Sequence, residues 1–236
     1  MSAALAIFVK TPGFSPIKTR LARTLGDAAA IEFHRRACAA VAAVAQTAIL
    51  AGLPLLAYWA VAERAALECA EWSGLPRLWQ GAGDLGERLD VVHTELQSRH
   101  GTSLLIGADA PQLSVALLAQ ALAALGNPAT PFVLGPAADG GFWLFGSRAP
   151  VPAHLWHSIR YSQPHTAVEL DAALTALGGI AYLPVLADVD TAADLITLRA
   201  ALAALAEPLP QQRSLAIWLD ELPFPEQAGA GTASRN

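Results

Sequence analysis

Apolar positions along the chain follow two alternating patterns: short unbroken runs, and longer stretches with apolar residues every three or four positions. Ala4 to Val9 and Leu55 to Val61 are runs of the first kind and predict buried strands. Ser103 to Ile106, closed by Gly107, predicts a third that is apolar on both faces. An alanine-rich stretch from about Ala28 to Ala51 predicts a long helix between the first two strands, and Asp84 to Arg99 and Val115 to Leu125 predict two more. Ala65 to Trp72 reads as a further helix and Arg77 to Gln80 as a short strand. This alternation predicts an α/β domain with a largely parallel sheet covered by helices on both faces.

Two apolar runs, Pro131 to Leu134 and Gly141 to Phe145, are separated by a Gly, Pro and Asp cluster too short for a crossover helix, so they are expected to pair antiparallel and make the sheet mixed. Thr166 to Glu169 and Thr191 to Asp194 have the spacing of capping boxes and predict two helix starts, with a strand Ile180 to Val185 between them. Pro208 and Pro210 end the last long helix. Residues 1–206 are expected to form one domain. Residues 207–236 are expected to form a C-terminal extension with one short apolar segment, Leu215 to Leu222, and a Gly, Ala and Ser tail past about Pro225 whose composition predicts disorder.

Composition narrows the function. The hydrophobic class reaches 54% and the charged class only 15% of 236 residues, which excludes disorder across the chain. A net charge of −5 provides no global attraction to nucleic acid or anionic lipid, so a nucleic-acid partner is not expected and any bound phosphate must be held locally. The uncharged run from Ala37 to Ala62 is long enough to be weighed as a membrane span. Gln46 and Thr47 interrupt it, and Gly52-Leu53-Pro54 divides it into helix and strand, so no span is expected. Cys38 and Cys69 have no metal-type spacing, and the start MSAALAIFVK lacks the leading positive charge of a secretory signal. Both point to a cytoplasmic protein with reduced thiols.

In a chain this poor in charge, Lys10, Lys18 and Arg20 stand together in the loop after the first strand. Cations at the carboxyl end of a first parallel strand lie where α/β sheets bind ligands, and they suit a di- or triphosphate. The loop is not a Walker A motif, since Ile17 rather than Gly precedes Lys18. Gly81-Ala82-Gly83-Asp84-Leu85-Gly86 matches G-x-G-x-x-G but follows a third strand, so its glycines read as turn and helix-entry chemistry, with Asp84 as N-cap and Arg88 as a solvated residue. Asp109, just past the third buried run, is placed to hold Mg²⁺ or Mn²⁺ on phosphate oxygens; a turn-forming Asp before Ala-Pro is the alternative. Asp139, in Asp139-Gly140-Gly141, reads as a hairpin turn, and Asp188 and Asp190 read as caps or turn residues. His154 and His157 lack the further ligands of a zinc site.

Five segments in order, KTPGFSPIKTRLA, QGAGDLGERL, LLIGADAPQL, LGPAADGGFWLFG and DVDTAADL, together resemble the glycosyltransferase-like DUF2064 proteins of the nucleotide-diphospho-sugar transferase superfamily. More distantly they resemble phospholactate guanylyltransferases. The resemblance spans about Ala4 to Leu198 and implies a GT-A-type fold, a three-layer α/β/α sandwich with a Rossmann-like mixed sheet that binds a nucleotide at its strand ends. It implies that Gly83 and Arg88 belong to the nucleotide pocket with Lys10, Lys18 and Arg20. It also implies that Asp109 stands at the metal-binding aspartate position and that Asp139 is an acceptor-side or metal-side carboxylate. The chain departs from the pattern in having Gly107 where the first Asp of a D-x-D would stand.

Three activities are compatible with these residues. The leading one is metal-dependent glycosyl transfer from a nucleotide sugar to a small acceptor, with Asp109 on the metal and Asp139 orienting or deprotonating the acceptor. The second is nucleotidyl transfer from a nucleoside triphosphate with release of pyrophosphate, which the likeness of Lys18-Thr19-Arg20-Leu21 to the guanylyltransferase loop supports. The third is nucleotide binding without catalysis, which the missing D-x-D admits. The residues leave base, sugar, acceptor and oligomeric state open.

Overall fold

In the computed structural model, which describes residues 2–222, seven strands form one sheet. They are β1 (Ala3–Val9), β2 (Leu55–Val61), β3 (Arg77–Trp79), β4 (Ser103–Gly107), β5 (Phe132–Pro136), β6 (Phe142–Ser147) and β7 (Ile180–Tyr182). Their order is β3-β2-β1-β4-β6-β5-β7. Every neighbouring pair is parallel except those made by β6, which runs antiparallel to both β4 and β5. The sheet is therefore mixed, as the short connection around Asp139 requires.

Alternation along β1 separates the two faces. Leu5, Ile7 and Val9 pack beneath α2 (Asp27–Leu50) and α4 (Val115–Leu125). Ala4 and Ala6 face α3 (Leu85–His100), α5 (Ala153–Ser158) and α6 (Thr166–Thr175). The result is a three-layer α/β/α sandwich. A third apolar cluster joins α1 (Thr19–Leu25), the first half of α2, α7 (Ala192–Ala203) and α8 (Pro210–Glu221). The segment Leu215–Leu222 thus belongs largely to a helix whose Leu215 and Leu219 are fully buried against this chain's own α2 and α7. The tail past Pro225 lies outside the described residues.

Several local expectations are corrected. Residues 65–72 form two short 3₁₀ turns, Arg64–Ala66 and Ala70–Trp72, instead of a helix. Ala66 and Trp72 must both be buried, and residues six apart lie on different faces of an α-helix. The break brings Trp72 against Trp59, ring centroids 5.2 Å apart, and lets its indole N–H donate to Thr11 Oγ1 at 2.8 Å. The capping box at Thr166 does not form: His165 is the N-cap, and Glu169 instead accepts from the Arg160 guanidinium, with Nε at 2.7 Å. The other Glu169 oxygen accepts from Arg160 N at 2.8 Å, and Thr166 N donates to the Gln163 carbonyl at 3.1 Å, so neither group is left for the box. The strand from Ile180 stops at Tyr182, short of Pro184, which has no N–H for a ladder. The box at Thr191 does form, with Asp194 accepting from Thr191 N at 2.7 Å.

Among the described residues no helix is long and apolar enough to cross a membrane. The uncharged run is divided as expected: α2 ends at Leu50, Gly52 turns the chain with φ 89°, and β2 starts at Leu55.

Candidate functional site

The chain leaves β1 for β2 on one side, while β4 lies on the other, so the loops at their carboxyl ends diverge and open a crevice. A cleft of about 870 Å³ lies there, and Lys10, Lys18, Arg20, Gly83, Arg88, Asp109 and Asp139 all border it. Residues from four separate stretches of the chain are thereby brought to one place.

The first loop is fastened at its root. The Lys10 carbonyl lies 2.8 Å from His34 Nε2, Thr11 N donates to Glu63 Oε2 at 2.9 Å, and the Thr11 hydroxyl receives the Trp72 N–H. Burial holds the His34 imidazole below its usual pKa, although the Lys10 carbonyl opposes the shift. At the far end Lys18 takes a left-handed backbone, φ 42° and ψ 51°, and turns the loop into α1. Its ammonium lies 2.9 Å from Asp109 Oδ2 and 3.3 Å from Asp190 Oδ1, and also donates to the Val189 carbonyl. Burial works against the charge on Lys18, but Asp109 and Asp190 outweigh it and raise its pKa above the ordinary value. Arg20 reaches Asp190 Oδ2 at 3.4 Å from a more exposed position.

The two carboxylates arrive from loops 81 residues apart in the chain. Asp109 follows β4 after the buried Ala108, and Asp190 precedes α7. Val189 N donates to the Asp109 carbonyl at 3.1 Å, tying the two loops together. Gln212 of α8, itself buried, donates its amide to the carbonyls of Pro111 and Leu113, each at 2.8 Å. Helix α8 therefore braces the loop that carries Asp109.

Across the cleft, Asp139 occupies the β5–β6 hairpin and accepts from Gly141 N at 2.7 Å. Asp139 is thus a turn residue that also lines the cleft. Gly140 is at φ 90°, and a Cβ there would lie 1.9 Å from the Pro164 carbonyl oxygen, so only glycine lets the 160–166 segment close over the hairpin. Asp188 faces the same space. Burial, then the charge of Asp139, push its carboxyl up to about 6.

The Gly81–Gly86 turn behaves as its chemistry predicts. Asp84 caps α3 in a full capping box with Glu87, and a Cβ on Gly86 would lie 2.6 Å from the Trp156 carbonyl oxygen. Arg88 is not merely solvated: its Nε donates to the Gly83 carbonyl at 2.9 Å and closes the turn beside the cleft.

Three contributors were not legible as such. Asp188 and Asp190 do not cap α7, because Asp194 and Thr191 do so, and both aspartates face the cleft instead. Gln212 acts over about a hundred residues and carries no local motif.

Four cations and five carboxylates border the cleft, counting Asp84. A polyphosphate entering it meets no net positive charge unless a cation accompanies it. Among the described residues no group of three or more His, Cys, Asp or Glu forms a ready metal cage. Two carboxylates converging on one cationic atom, as Asp109 and Asp190 do on Lys18 Nζ, are what Mg²⁺ or Mn²⁺ takes from a protein when phosphate oxygens and water complete its shell. The donor set fits a divalent ion that binds together with a phosphate ligand.

The sequence profile of a family described as "Uncharacterized protein conserved in bacteria (DUF2064)" matches residues 40–163. Among solved structures the chain is similar to a protein of Desulfovibrio desulfuricans G20 described as a "putative nucleotide-diphospho-sugar transferase", with 23% identity and a TM-score of 0.80 over 94% of this chain and 97% of that one. It is also similar to Rv0371c of Mycobacterium tuberculosis H37Rv, with 18% identity and a TM-score of 0.55 over 84% of this chain and 97% of that one. A homologue of Rv0371c from Mycobacterium sp. strain JC1 aligns with 16% identity and a TM-score of 0.51 over 86% and 98%. At these identities the likeness is one of fold, the nucleotide-diphospho-sugar transferase type, and reaction must be argued from the site. No curated protein matches the chain.

Proposed function

We propose that this chain, which belongs to the DUF2064 family, is a divalent-metal-dependent transferase that moves a sugar from a nucleotide-sugar donor to a small acceptor. The observation that carries the reading is the convergence of Asp109, Asp190 and Lys18 at the strand ends, with Asp139 and Asp188 lining the same cleft.

On this reading Lys10, Lys18, Arg20 and Arg88 face the donor's phosphates and offset the charge of the leaving nucleoside diphosphate. Gly83 leaves backbone, without a side chain, on that wall of the cleft. Asp109 and Asp190 hold Mg²⁺ or Mn²⁺, which when bound stabilises the negative charge that builds on the leaving diphosphate. Asp139 orients the acceptor hydroxyl or takes its proton. Asp188, half-buried beside Asp139, places a second carboxylate near the acceptor. A nucleotide-sugar substrate agrees with a cytoplasmic location.

A second reading, nucleotidyl transfer, is favoured by one observation: three of the four cations lie between the end of β1 and the first turn of α1, a concentration suited to the terminal phosphates of a triphosphate. The products separate the two. With Mn²⁺, the full chain is expected to release a nucleoside diphosphate from a nucleotide sugar in the presence of an acceptor panel. Pyrophosphate release from a triphosphate and a phosphorylated acceptor would move the assignment to the second reading.

A further inference from the structure

Lys18 is nearly shut off from water, its side chain 8% exposed, while the carboxylates it pairs with are 45% and 46% exposed. The ammonium thus fills the back of a slot whose carboxylates open towards the cleft. It occupies the point on which Asp109 and Asp190 converge, the position that suits a divalent cation. Its backbone is in the left-handed region, which a residue with a Cβ disfavours, so ion pairs rather than local preference hold it there. An ammonium and a divalent ion on the same carboxylate oxygens would repel strongly at a separation of about 3 Å.

We infer that Lys18 is an internal stand-in for the divalent ion: the two compete for Asp109 and Asp190, and the ion enters as Lys18 leaves its slot for the phosphate of an incoming ligand. The inference rests on the assignment of these two aspartates to the metal and deepens it. Removing Lys18 from the slot costs its ion pairs unless phosphate replaces them, so the protein alone binds the ion weakly. Metal and phosphate ligand then strengthen each other's binding by the same factor. The four-carbon stem of lysine permits the swing, and neither carboxylate need move.

The test is Mn²⁺ binding to the full chain without nucleotide, with free Mn²⁺ read by electron paramagnetic resonance. Lys18→Met, which keeps the stem and removes the charge, is expected to bind Mn²⁺ at least about tenfold more tightly than the wild type, and Lys18→Arg no more tightly than the wild type. Adding Asp109→Asn to Lys18→Met should abolish the gain. A wild-type arm needs no variant: saturating Mn²⁺ should raise acetylation of Lys18 by N-hydroxysuccinimidyl acetate several-fold, read by mass spectrometry, and this arm decides if Lys18→Met does not fold. Equal or weaker Mn²⁺ binding by a folded Lys18→Met, or Lys18 acetylation unchanged by saturating Mn²⁺, overturns the stand-in. Mn²⁺ binding lost with Asp109→Asn yet equal in wild type and Lys18→Met overturns the stand-in alone. Mn²⁺ binding indifferent to Asp109→Asn overturns the metal assignment as well.

Discussion

Asp109→Asn is expected to lower metal-dependent turnover about a thousandfold, the ~4 kcal/mol that a principal electrostatic contact to developing charge contributes. The substitution keeps the size of the side chain and removes the charge that Lys18 and the divalent ion both need. It also leaves the nearly buried Lys18 with only Asp190 and the Val189 carbonyl. Because Asp109 is about half exposed, the lost ion pair is discounted to about 1 kcal/mol, which for a chain of this size lowers the melting point by about 2–4 °C. Steady-state rates across a Mn²⁺ series, with a melting curve on the same sample, check both parts. Retained turnover with unchanged metal dependence would contradict the role given to Asp109.

The second large effect concerns stability in mild acid. His93 of α3 lies between Phe145 and Trp156, with ring centroids 5.8 and 5.4 Å away, and both ring nitrogens are buried without a hydrogen-bond partner among the described residues. Burial pulls its imidazole down to about 4. The unfolded chain therefore takes up this proton first, near pH 6.5, and the folded chain only near pH 4. The contribution is full above pH 6.5, falls between pH 6.5 and 4, and is flat below, for a total loss of about 3 kcal/mol. Asp188 works in the opposite direction: its raised carboxyl costs stability near pH 7, and that cost is relieved as pH falls through 6 towards the unfolded value. The two are separated by comparing the wild type with His93→Leu in urea denaturation at pH 7.5 and pH 4.5. The variant is expected to lose about 2.5 kcal/mol less than the wild type over that interval. Equal losses would show that His93 is not the acid-sensitive group.

Legibility from sequence follows the range of the forces involved. Strands β1, β2 and β4 were readable nearly to their ends because strands covered on both faces carry unbroken apolar runs. The antiparallel β5–β6 pair was readable because the connection around Asp139 is too short for anything else. Asp84 and Thr191 were readable as caps because a capping box lies within four residues. Thr166 failed for the same reason in reverse, since Arg160 claims Glu169 through a contact the local pattern does not contain.

The site divides along the same line. Asp109 could be placed from its position after a buried strand alone. Asp190 could not, because its place in the cleft is defined by Lys18, which lies 172 residues away in the chain. Asp188 reads as a turn residue until the hairpin carrying Asp139 folds back beside it. Gln212 lies where residues 207–236 read as an extension, and its role is visible only once its amide is seen on the loop after Asp109.

Metal-dependent binding of a nucleotide sugar is tested by thermal shift of the purified full chain with Mn²⁺ or Mg²⁺, comparing nucleotide sugars with nucleoside triphosphates. A ligand at a hundred times its dissociation constant adds about 2.7 kcal/mol, which should raise the midpoint by roughly 5–10 °C. A metal-dependent rise is expected that is larger with a nucleotide sugar than with any triphosphate and is lost in Asp109→Asn. No metal-dependent shift with any nucleotide of either class would contradict it.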